Sequence, residues 1–243
     1  MLVAGFRIAT YNIHKARGLD GRTRVERIAR VLAELDADIV ALQEVVNHEG
    51  KSVEDHQAGY LAANLGYVHA IGETRKHCGG IYGNVTLSRF DFRLVRQIDL
   101  TVSGREERGV LRTDVRIGQH LVHIFNVHLG ISHRERQKQA VRLMDKDLLR
   151  AIDISGPRVV LGDFNEWTHG LVTRTLSAEF HLTDLRAHLP RTRTYPGILP
   201  LLHLDHMYVD HHLKVNHAGF HRNRRSLVAS DHLPMFADLT LRL

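Results

Sequence analysis

The sequence of 243 residues contains a single cysteine, Cys78. One cysteine excludes an intramolecular disulfide framework and any CxxC zinc or redox motif. No segment approaches the roughly 20 consecutive apolar residues that a membrane-spanning helix needs. The apolar N-terminus is interrupted at Arg7, which is too early for a signal peptide. We therefore expect a cytoplasmic protein without a transmembrane segment.

Other compositional extremes are also missing. Apolar residues make up 43% and charged residues 25% of the chain, which is ordinary globular usage and excludes disordered and fibrous classes. The formal net charge is +6, with 19 further histidines. A basic surface favours anionic partners such as nucleic acid, acidic lipid headgroups or small phosphates, but it does not distinguish among them.

Strand-like and helix-like patterns alternate along the whole chain without linkers or repeats, so we expect one domain spanning residues 1–243. Capping-box sequences at 23–26 (TRVE) and 132–135 (SHRE) predict the starts of two helices, the second running to about residue 152. About ten strands, several joined as hairpins, do not suit a simple parallel sheet. The pattern favours an α/β (α+β) four-layer sandwich, with two mixed β-sheets packed face to face and helices outside. The strands are predicted at 6–13, 38–43, 81–88, 92–100, 109–117, 120–129, 158–161, 204–209, 214–220 and 234–241.

Polar side chains recur where the apolar strands end. Asp163 and Asn165 are two positions apart, so in an extended chain both would point the same way. An acidic pocket in a basic protein needs a cation to be stable. Carboxylate and carboxamide oxygens without cysteine suit Mg²⁺ or Mn²⁺ rather than a structural zinc. The residues at these strand ends are Asn12, Glu44, His128, Asp163, Asn165, Asp205, Asp231 and His232.

Each of these residues also has a more ordinary interpretation. An Asp or Asn directly after a strand usually forms a turn by bonding to its own backbone. Glu44 alone would be a solvated strand end, and among 19 histidines a single one carries little weight. Only the recurrence at several strand ends favours a site.

Seven sequence blocks resemble the endonuclease/exonuclease/phosphatase superfamily. That superfamily includes pancreatic deoxyribonuclease, abasic-site endonucleases, neutral sphingomyelinases and inositol-polyphosphate 5-phosphatases. The blocks occur in the family's order and span residues 10 to 234. They are TYNI at 10–13, DIVALQEV at 38–45, GNVTLSR at 83–89, NVHL at 126–129, LGDFN at 161–165, LDHMYV at 204–209 and SDHLP at 230–234.

The resemblance implies a metal-dependent hydrolase that cleaves phosphodiester bonds by in-line attack of water. A bound Mg²⁺ or Mn²⁺ would stabilise the negative charge that develops on the phosphate. The resemblance identifies Glu44 as the principal metal carboxylate. It identifies Asn12 and Asp231 as direct or water-mediated ligands.

The catalytic residues implied by the resemblance surround the phosphate. Asp163 would orient or deprotonate the attacking water, and Asn165 would hold the phosphate or that water. His232 would face the phosphate while its other ring nitrogen bonds to Asp205, and His128 would contact a phosphate oxygen. Whether Asp163 or His232 removes the proton from water stays open at this point.

Departures from the family pattern bear on the substrate. Abasic-site endonucleases usually carry Asn-x-Tyr-x-Pro-Asn where residues 126–130 read NVHLG. Segments 132–137 and 194–200 instead resemble the branch with sphingomyelinases and tyrosyl-DNA phosphodiesterases. We therefore rank an abasic-site endonuclease low and predict a Mg²⁺-dependent phosphodiesterase that acts on nucleic acid, a nuclease of another kind. A phospholipid or inositol-phosphate phosphohydrolase is the alternative enzyme, and a catalytically silent phosphate-binding scaffold is the alternative of another class.

Two basic clusters and one apolar segment complete the partner predictions. The clusters at 191–193 and 221–225 would suit a nucleic-acid backbone or an anionic lipid, or would be solvated loops. The apolar segment 198–202 would touch acyl chains or begin a buried strand. We expect a monomer that binds a phosphodiester substrate, with nucleic acid favoured and anionic lipid as the alternative.

Overall fold

A computed structural model of the chain describes residues 5–48, 52, 55–167, 170–189, 193–196, 199 and 201–242. Within these ranges, no helix combines the length and the apolar character needed to cross a bilayer. The helices are α1 (Val25–Leu35), α2 (Gln57–Leu65), α3 (His133–Leu143), α4 (Leu171–Phe180) and α5 (Ser226–Ala229). The strands are β1 (Gly5–Asn12), β2 (Ile39–Asn47), β3 (Val68–His77), β4 (Gly80–Ser88), β5 (Phe92–Asp99), β6 (Gly109–Ile117), β7 (His120–His128), β8 (Arg158–Asp163), β9 (Thr183–Asp184), β10 (Asp205–Val209), β11 (Leu213–Phe220) and β12 (Met235–Leu241).

The strands form two six-stranded sheets. Sheet I has the order β11-β12-β1-β2-β4-β3, and sheet II has the order β5-β6-β7-β8-β10-β9. Each sheet contains one parallel pair, β1 with β2 and β7 with β8, and its other neighbours are antiparallel. One apolar cluster lies between the sheets, and two further clusters join α1 and α2 to sheet I and α3 and α4 to sheet II. The predicted sandwich of two mixed sheets with outer helices is confirmed.

Alternation of side chains along the strands explains these layers. In β1, Phe6 and Ile8 enter the core between the sheets, whereas Ala9 and Tyr11 pack against the helices. Strand β12 alternates in the same way between buried and half-buried positions, as its sequence predicts. Burying alternate residues on both faces lets two sheets and two helical layers share the same short strands.

The core between the sheets changes from apolar to polar toward one end. In the register of β1 with β2, the inward pair Ile8 and Ile39 is followed by Thr10 and Ala41, and then by Asn12 opposite Gln43. In the register of β7 with β8, apolar pairs likewise give way to His128 opposite Asp163. The inward-facing rows of both sheets therefore end in polar side chains at the same edge.

Buried amides join the two sheets just before this polar end. Asn126 of sheet II donates from Nδ2 to the carbonyl oxygens of Leu42 and Val85 in sheet I, both at 3.0 Å. Its Oδ1 accepts from Gln43 Nε2 at 2.8 Å. Asn84 of sheet I donates in the reverse direction, to the Asn126 carbonyl oxygen at 3.0 Å. Every polar atom of the Asn126 side chain is therefore bonded across the sheet interface.

Several sequence expectations about the elements are wrong. Strand β3 was not predicted because it is a mostly polar edge strand with little alternation. Helix α1 begins at Val25 without a side-chain cap, because Thr23 pairs with Arg17 in a short antiparallel bridge. Ser132 does occupy the N-cap of α3, but its side chain makes no capping bond.

Helix α3 ends at Leu143 rather than near residue 152. The buried Arg112 of β6 donates to Asp153 at 3.0 Å, and the Gly156 backbone N–H donates to His123 of β7 at 3.3 Å. These two bonds tie the following segment to sheet II, so the chain turns back instead of continuing the helix.

Replacing Asn126 with alanine tests the joint between the sheets. At about 1–3 kcal/mol for each buried polar group left without a partner, Asn126→Ala should lower the free energy of unfolding by about 2–5 kcal/mol. Urea denaturation would measure the change. Asn64→Ala, which removes an exposed amide bonded only within α2, is the control and should change stability by less than about 0.5 kcal/mol. Equal effects of the two substitutions would contradict a role for Asn126 in joining the sheets.

Candidate active site

A cavity of about 390 Å³ opens at the polar end of the core between the sheets. Asn12 and Asp205 lie behind its wall and bond to residues that line it. The remaining sequence-predicted residues all line the cavity; they are Glu44, His128, Asp163, Asn165, Asp231 and His232. The fold therefore brings together side chains that are separated by up to 220 positions in the sequence, from Asn12 to His232.

An irregularity in β2 directs Glu44 into the cavity. The register between β2 and β4 shifts between Leu42 and Val45, and Glu44 has a positive φ of 57°. Asn12 Nδ2 then lies 3.2 Å from Glu44 Oε1 and 3.0 Å from Asp163 Oδ2, so this amide bridges the two carboxylates. Asn12 Oδ1 accepts from the His14 backbone N–H at 3.0 Å.

A left-handed turn places Lys15 beside Glu44. His14, Lys15 and Ala16 all have positive φ, a conformation that costs about 1–3 kcal/mol for each non-glycine residue. The turn is held by Gln57, which donates to the Lys15 carbonyl oxygen at 2.9 Å. As a result, Lys15 Nζ lies 3.0 Å from Glu44 Oε2. Burial would raise the pKa of Glu44, but His128 and Lys15 lower it to about 2.

His232 and Asp205 form a buried ion pair. Asp205 is fully buried in β10, and His232 Nδ1 lies 2.9 Å from its Oδ2. Burial alone would lower the pKa of His232, but the charge and hydrogen bond of Asp205 raise it to about 10. The imidazole is therefore protonated at neutral pH, with Nδ1–H donating to Asp205.

Asp163 lies between two histidines. Its Oδ2 is 3.7 Å from His128 Nε2 and 3.8 Å from His232 Nε2. Burial raises the pKa of Asp163 to about 6, against the lowering effect of the nearby His232 charge. Burial and the charge of Arg108 hold the pKa of His128 well below its ordinary value. At neutral pH the site thus pairs an ionised but basic carboxylate with one neutral and one protonated imidazole.

Asn165 lines the cavity for a different reason from the one predicted. Asp163 and Asn165 both line the cavity, but not as alternate residues of an extended strand, because Asn165 lies beyond β8 with a positive φ of 49°. Its backbone N–H donates to Asp163 Oδ1 at 2.9 Å, and its Nδ2 donates to the Leu129 carbonyl oxygen at 3.0 Å. A turn therefore fixes Asn165 beside Asp163.

Sequence reasoning missed a group of cations in the cavity wall. Arg108 is buried, with Nη1 lying 3.0 Å from His128 Nε2 and Nη2 lying 2.8 Å from Glu106. Glu106 also pairs with Arg75 at 2.8 Å. Lys15 could have been noticed as a base three positions after Asn12, but Arg75 and Arg108 stand in no recognisable motif. Arg108 directly precedes β6 and lies near His128 because β6 pairs with β7. The position of Arg75 depends on how β3 of sheet I meets this end of sheet II.

Tyr195 was likewise missed as a residue of the site. Its ring lies 4.9 Å from the His232 ring, measured between centroids, and it lines the cavity.

The predicted basic cluster at 221–225 does not line the cavity. Its Arg225 and His221 pair with Glu34 of α1. Residues 191, 192, 198 and 200 lie outside the described part of the chain, so the predicted cluster at 191–193 and the apolar segment 198–202 are only partly described.

The donors around Glu44 fit a hard divalent cation. Within the part of the chain that the structure describes, no three His, Cys, Asp or Glu side chains form a metal-binding group. The available oxygen donors of the cavity wall are the ionised Glu44 carboxylate and the Asp231 carboxylate. Asn12 would add its Oδ1 only after its amide turned over, because its Nδ2 faces Glu44 and its Oδ1 accepts from the His14 backbone N–H. Mg²⁺ typically takes one or two protein carboxylates and completes its shell with water and phosphate, so this sparse oxygen set suits it. The Lys15 ammonium on Glu44 Oε2 shows that this carboxylate already attracts positive charge.

Comparison with known proteins identifies a family and a relative that this chain resembles over nearly its whole length. The model of the Endonuclease/Exonuclease/phosphatase family matches residues 9–232. A protein of Escherichia coli K12, described as uncharacterized protein YbhP, is 30% identical over 249 residues, which cover 97% of this chain and 96% of YbhP.

Solved structures share the fold. An endonuclease/exonuclease/phosphatase from Beutenbergia cavernae has a TM-score of 0.80 and 24% identity, covering 98% of this chain and 72% of that one. A mannosyl-6-phosphatase of Bacteroides thetaiotaomicron, Bt3783, has a TM-score of 0.75 and 19% identity, covering 96% and 99%. Truncated Caenorhabditis elegans TDP2 has a TM-score of 0.69 and 20% identity, covering 97% of each chain. At these identities the likeness concerns the fold.

The ion pair of His232 and Asp205 leads to a spectroscopic prediction. NMR titration of the imidazole should show His232 protonated through neutral pH and deprotonating near pH 10. In Asp205→Asn the lowering effect of burial is offset only by the charges of Asp163 and Asp231, so the imidazole should lose its proton well below pH 10. Asp145→Asn is the control. It removes an exposed carboxylate that pairs with Arg142 and is distant in sequence from Asp205 and His232, so it should leave the titration unchanged. A wild-type His232 that titrates at the ordinary histidine pKa would contradict the pairing.

Proposed function

The chain belongs to the endonuclease/exonuclease/phosphatase family, whose members are hydrolases acting on phosphoester bonds, and from this premise we propose a divalent-metal-dependent phosphodiesterase that acts on nucleic acid. The observation that carries the proposal is the position of Asp163. A buried carboxylate with a pKa raised to about 6 lies beside a protonated His232, in a cavity that also contains Lys15 and Arg108. This combination of base, acid and cations suits hydrolysis of an anionic ester.

The cations would bind the phosphate. A phosphodiester is anionic and repels nucleophiles, so its charge must be neutralised before water can attack. His232 would donate from Nε2–H to a non-bridging phosphate oxygen, while Asp205 keeps the imidazole charged and oriented. Arg108 is held against His128 and would add a second cationic contact on the same phosphate.

Asp163 would act as the general base. Its carboxylate is ionised above pH about 6, so at neutral pH it can accept the proton of a water molecule. His232 keeps its proton until pH about 10 and cannot serve as the base in the same state. As the water oxygen bonds to phosphorus, one proton passes from the water to Asp163 Oδ2. The ester bond to the leaving oxygen breaks, and that oxygen takes the electron pair of the bond and a proton from solvent water. Asn165 would hold that water beside Asp163.

Glu44 would hold the metal, with Asp231 and Asn12 as direct or water-mediated ligands. A bound Mg²⁺ or Mn²⁺ would supply charge neutralisation at a phosphate oxygen. Lys15 occupies Glu44 Oε2 in this structure, so this lysine would have to move aside for direct coordination there. Once displaced, its ammonium would still lie at the cavity wall and face the substrate.

Nucleic acid is the favoured substrate class, because segments of the chain resemble the branch with tyrosyl-DNA phosphodiesterases and because the net charge is +6. TDP2 is among the structures with a similar fold. A phospholipid or inositol-phosphate phosphohydrolase would use the same groups and is the second candidate. A metal-supplemented screen against plasmid DNA, oligonucleotides, RNA, phospholipids and inositol phosphates tests the proposal. Hydrolysis of none of them would favour a silent phosphate-binding scaffold.

The role of Glu44 predicts a metal-dependent defect. Glu44→Gln keeps the size of the side chain but removes its charge, so the Kd for Mn²⁺ measured by calorimetry should rise about tenfold or more. Activity should fall sharply and recover in part at high Mg²⁺ or Mn²⁺. Glu107→Gln removes an exposed carboxylate and is the matched control. Unchanged Mn²⁺ affinity in Glu44→Gln would remove Glu44 from the metal site.

The pair of Asp205 and His232 predicts a different defect. Asp205→Asn and His232→Ala should each lower kcat by about 10²–10⁴-fold, the usual contribution of a positioned acid or base. Added metal should restore neither, and the double variant should lose little more than the singles because the two residues act as a unit. Kinetics across pH would also show the wild-type rate rising through pH about 6, as Asp163 ionises. Metal rescue of Asp205→Asn, or multiplied losses in the double variant, would refute the pairing.

A further inference from the structure

The active-site cavity has an aromatic and apolar part that the proposed chemistry does not use. Trp167 and Ile131 line the cavity together with its catalytic side chains. Trp167 is 48% exposed and Ile131 is 66% exposed. Single exposed apolar residues are common on protein surfaces, so their exposure alone says little. What distinguishes Trp167 and Ile131 is the set of packing contacts and hydrogen bonds that fixes their position.

A buried arginine supports both residues from behind. Arg136 is 5% exposed, and its guanidinium carbon lies 5.4 Å from the centre of the Trp167 ring system. The same guanidinium donates to the carbonyl oxygens of Gly130 and Ile131. One buried cation therefore supports the indole and fixes the backbone that presents Ile131, while the exposed part of both side chains faces the cavity.

The residue before the tryptophan is anchored as well. The buried Glu166 accepts through Oε2 from the backbone N–H and the hydroxyl of Thr173, at 3.1 and 2.8 Å. Its carbonyl oxygen accepts from His206 Nε2 at 2.7 Å. Glu166, the residue directly before Trp167, is thus hydrogen-bonded to both α4 and β10. An exposed aromatic ring on such a rigid support loses little conformational entropy when a ligand packs against it.

The position of the ring connects it to the reacting phosphate. Trp167 follows Asn165 by two residues and Asp163 by four, so one short segment carries both the proposed base and the ring. Asn165 also bonds to the Leu129 carbonyl oxygen, which joins this segment to the one that contains Ile131. A group stacked on Trp167 would therefore belong to the nucleoside next to the bond that is cleaved.

We propose that Trp167, flanked by Ile131, is a stacking platform for the nucleobase adjacent to the scissile phosphate. The inference rests on the proposed phosphodiesterase function and specifies a nucleotide unit as its substrate. A flat base matches one indole face, and stacking accepts any base because each has a π-face. Leu202 and Leu204 add apolar lining, but Lys15, Arg75 and Arg108 line the same cavity and favour the phosphate of a nucleotide over an acyl chain.

Fluorescence can test the platform without turnover, because Trp167 is the single tryptophan of the chain. The full-length protein in EDTA is titrated with thymidine 5′- and 3′-monophosphates and, as the matched base-free ligand, with deoxyribose 5-phosphate. A thymidine monophosphate should quench Trp167 and bind about 5- to 150-fold more tightly than deoxyribose 5-phosphate, the range expected for one stacked base. Equal affinities and no quenching would overturn the platform.

Variants extend the test to catalysis. The ratio of kcat/KM for p-nitrophenyl thymidine 5′-phosphate to that for methyl p-nitrophenyl phosphate should fall in Trp167→Ala, mainly through KM, and be largely kept in Trp167→Phe. Ile152→Ala removes a fully exposed apolar side chain that does not line the cavity and should leave the ratio unchanged. An unchanged ratio in Trp167→Ala would refute the inference while leaving the phosphodiesterase function intact.

Two further outcomes separate this inference from other possibilities. Base-dependent quenching in a protein that hydrolyses no phosphodiester would support the platform and contradict the proposed function. A blue shift of Trp167 fluorescence on phosphatidylglycerol vesicles, with no response to thymidine monophosphates, would identify a lipid-facing ring and overturn the platform.

Discussion

Asn126 is fully buried between the two sheets, where its amide donates to two carbonyl oxygens of the opposite sheet and accepts from Gln43. A buried amide that has all its hydrogen bonds is stable in only one arrangement, since sliding either sheet would leave several polar groups unpaired. Gln43 precedes Glu44, and Asn126 lies two residues before His128. The joint between the sheets therefore also sets the separation between the proposed metal carboxylate and the histidines.

The two sheets contribute corresponding halves of the site. In each sheet the central parallel pair ends in polar residues. In sheet I Asn12 lies opposite Gln43, which Glu44 follows, and in sheet II His128 lies opposite Asp163. Asn12 bonds to both carboxylates and so connects the halves. Glu44, from sheet I, has a lowered pKa that suits a metal ligand. Asp163, from sheet II, has a raised pKa that suits a base. Different surroundings thus give two carboxylates different chemistry.

Burial makes the acid–base groups depend on one another. Asp205 is fully buried, and its Oδ1 has no hydrogen-bond partner among the residues that the structure describes, so its charge is balanced chiefly by His232. A buried charge without a partner is costly, so the ion pair keeps His232 protonated well above its ordinary pKa. That proton in turn helps to stabilise the ionised form of Asp163, 3.8 Å away. Three residues from separate segments therefore hold one defined protonation state.

The layers, the polar ends of the strands and most of the residues that meet there could be predicted from the sequence, because strand alternation and motif blocks are local properties. From them follow the two sheets, their outer helices and the gathering of Glu44, Asp163 and His232 around one cavity. The entry of Glu44 into the site could not be predicted in this way, since the β2 irregularity and the left-handed turn at Lys15 are conformations that local propensity disfavours and that packing imposes. The pairing of Arg75 with Glu106 at the cavity wall is also tertiary, because β3 and the segment before β6 belong to different sheets and no sequence pattern joins them.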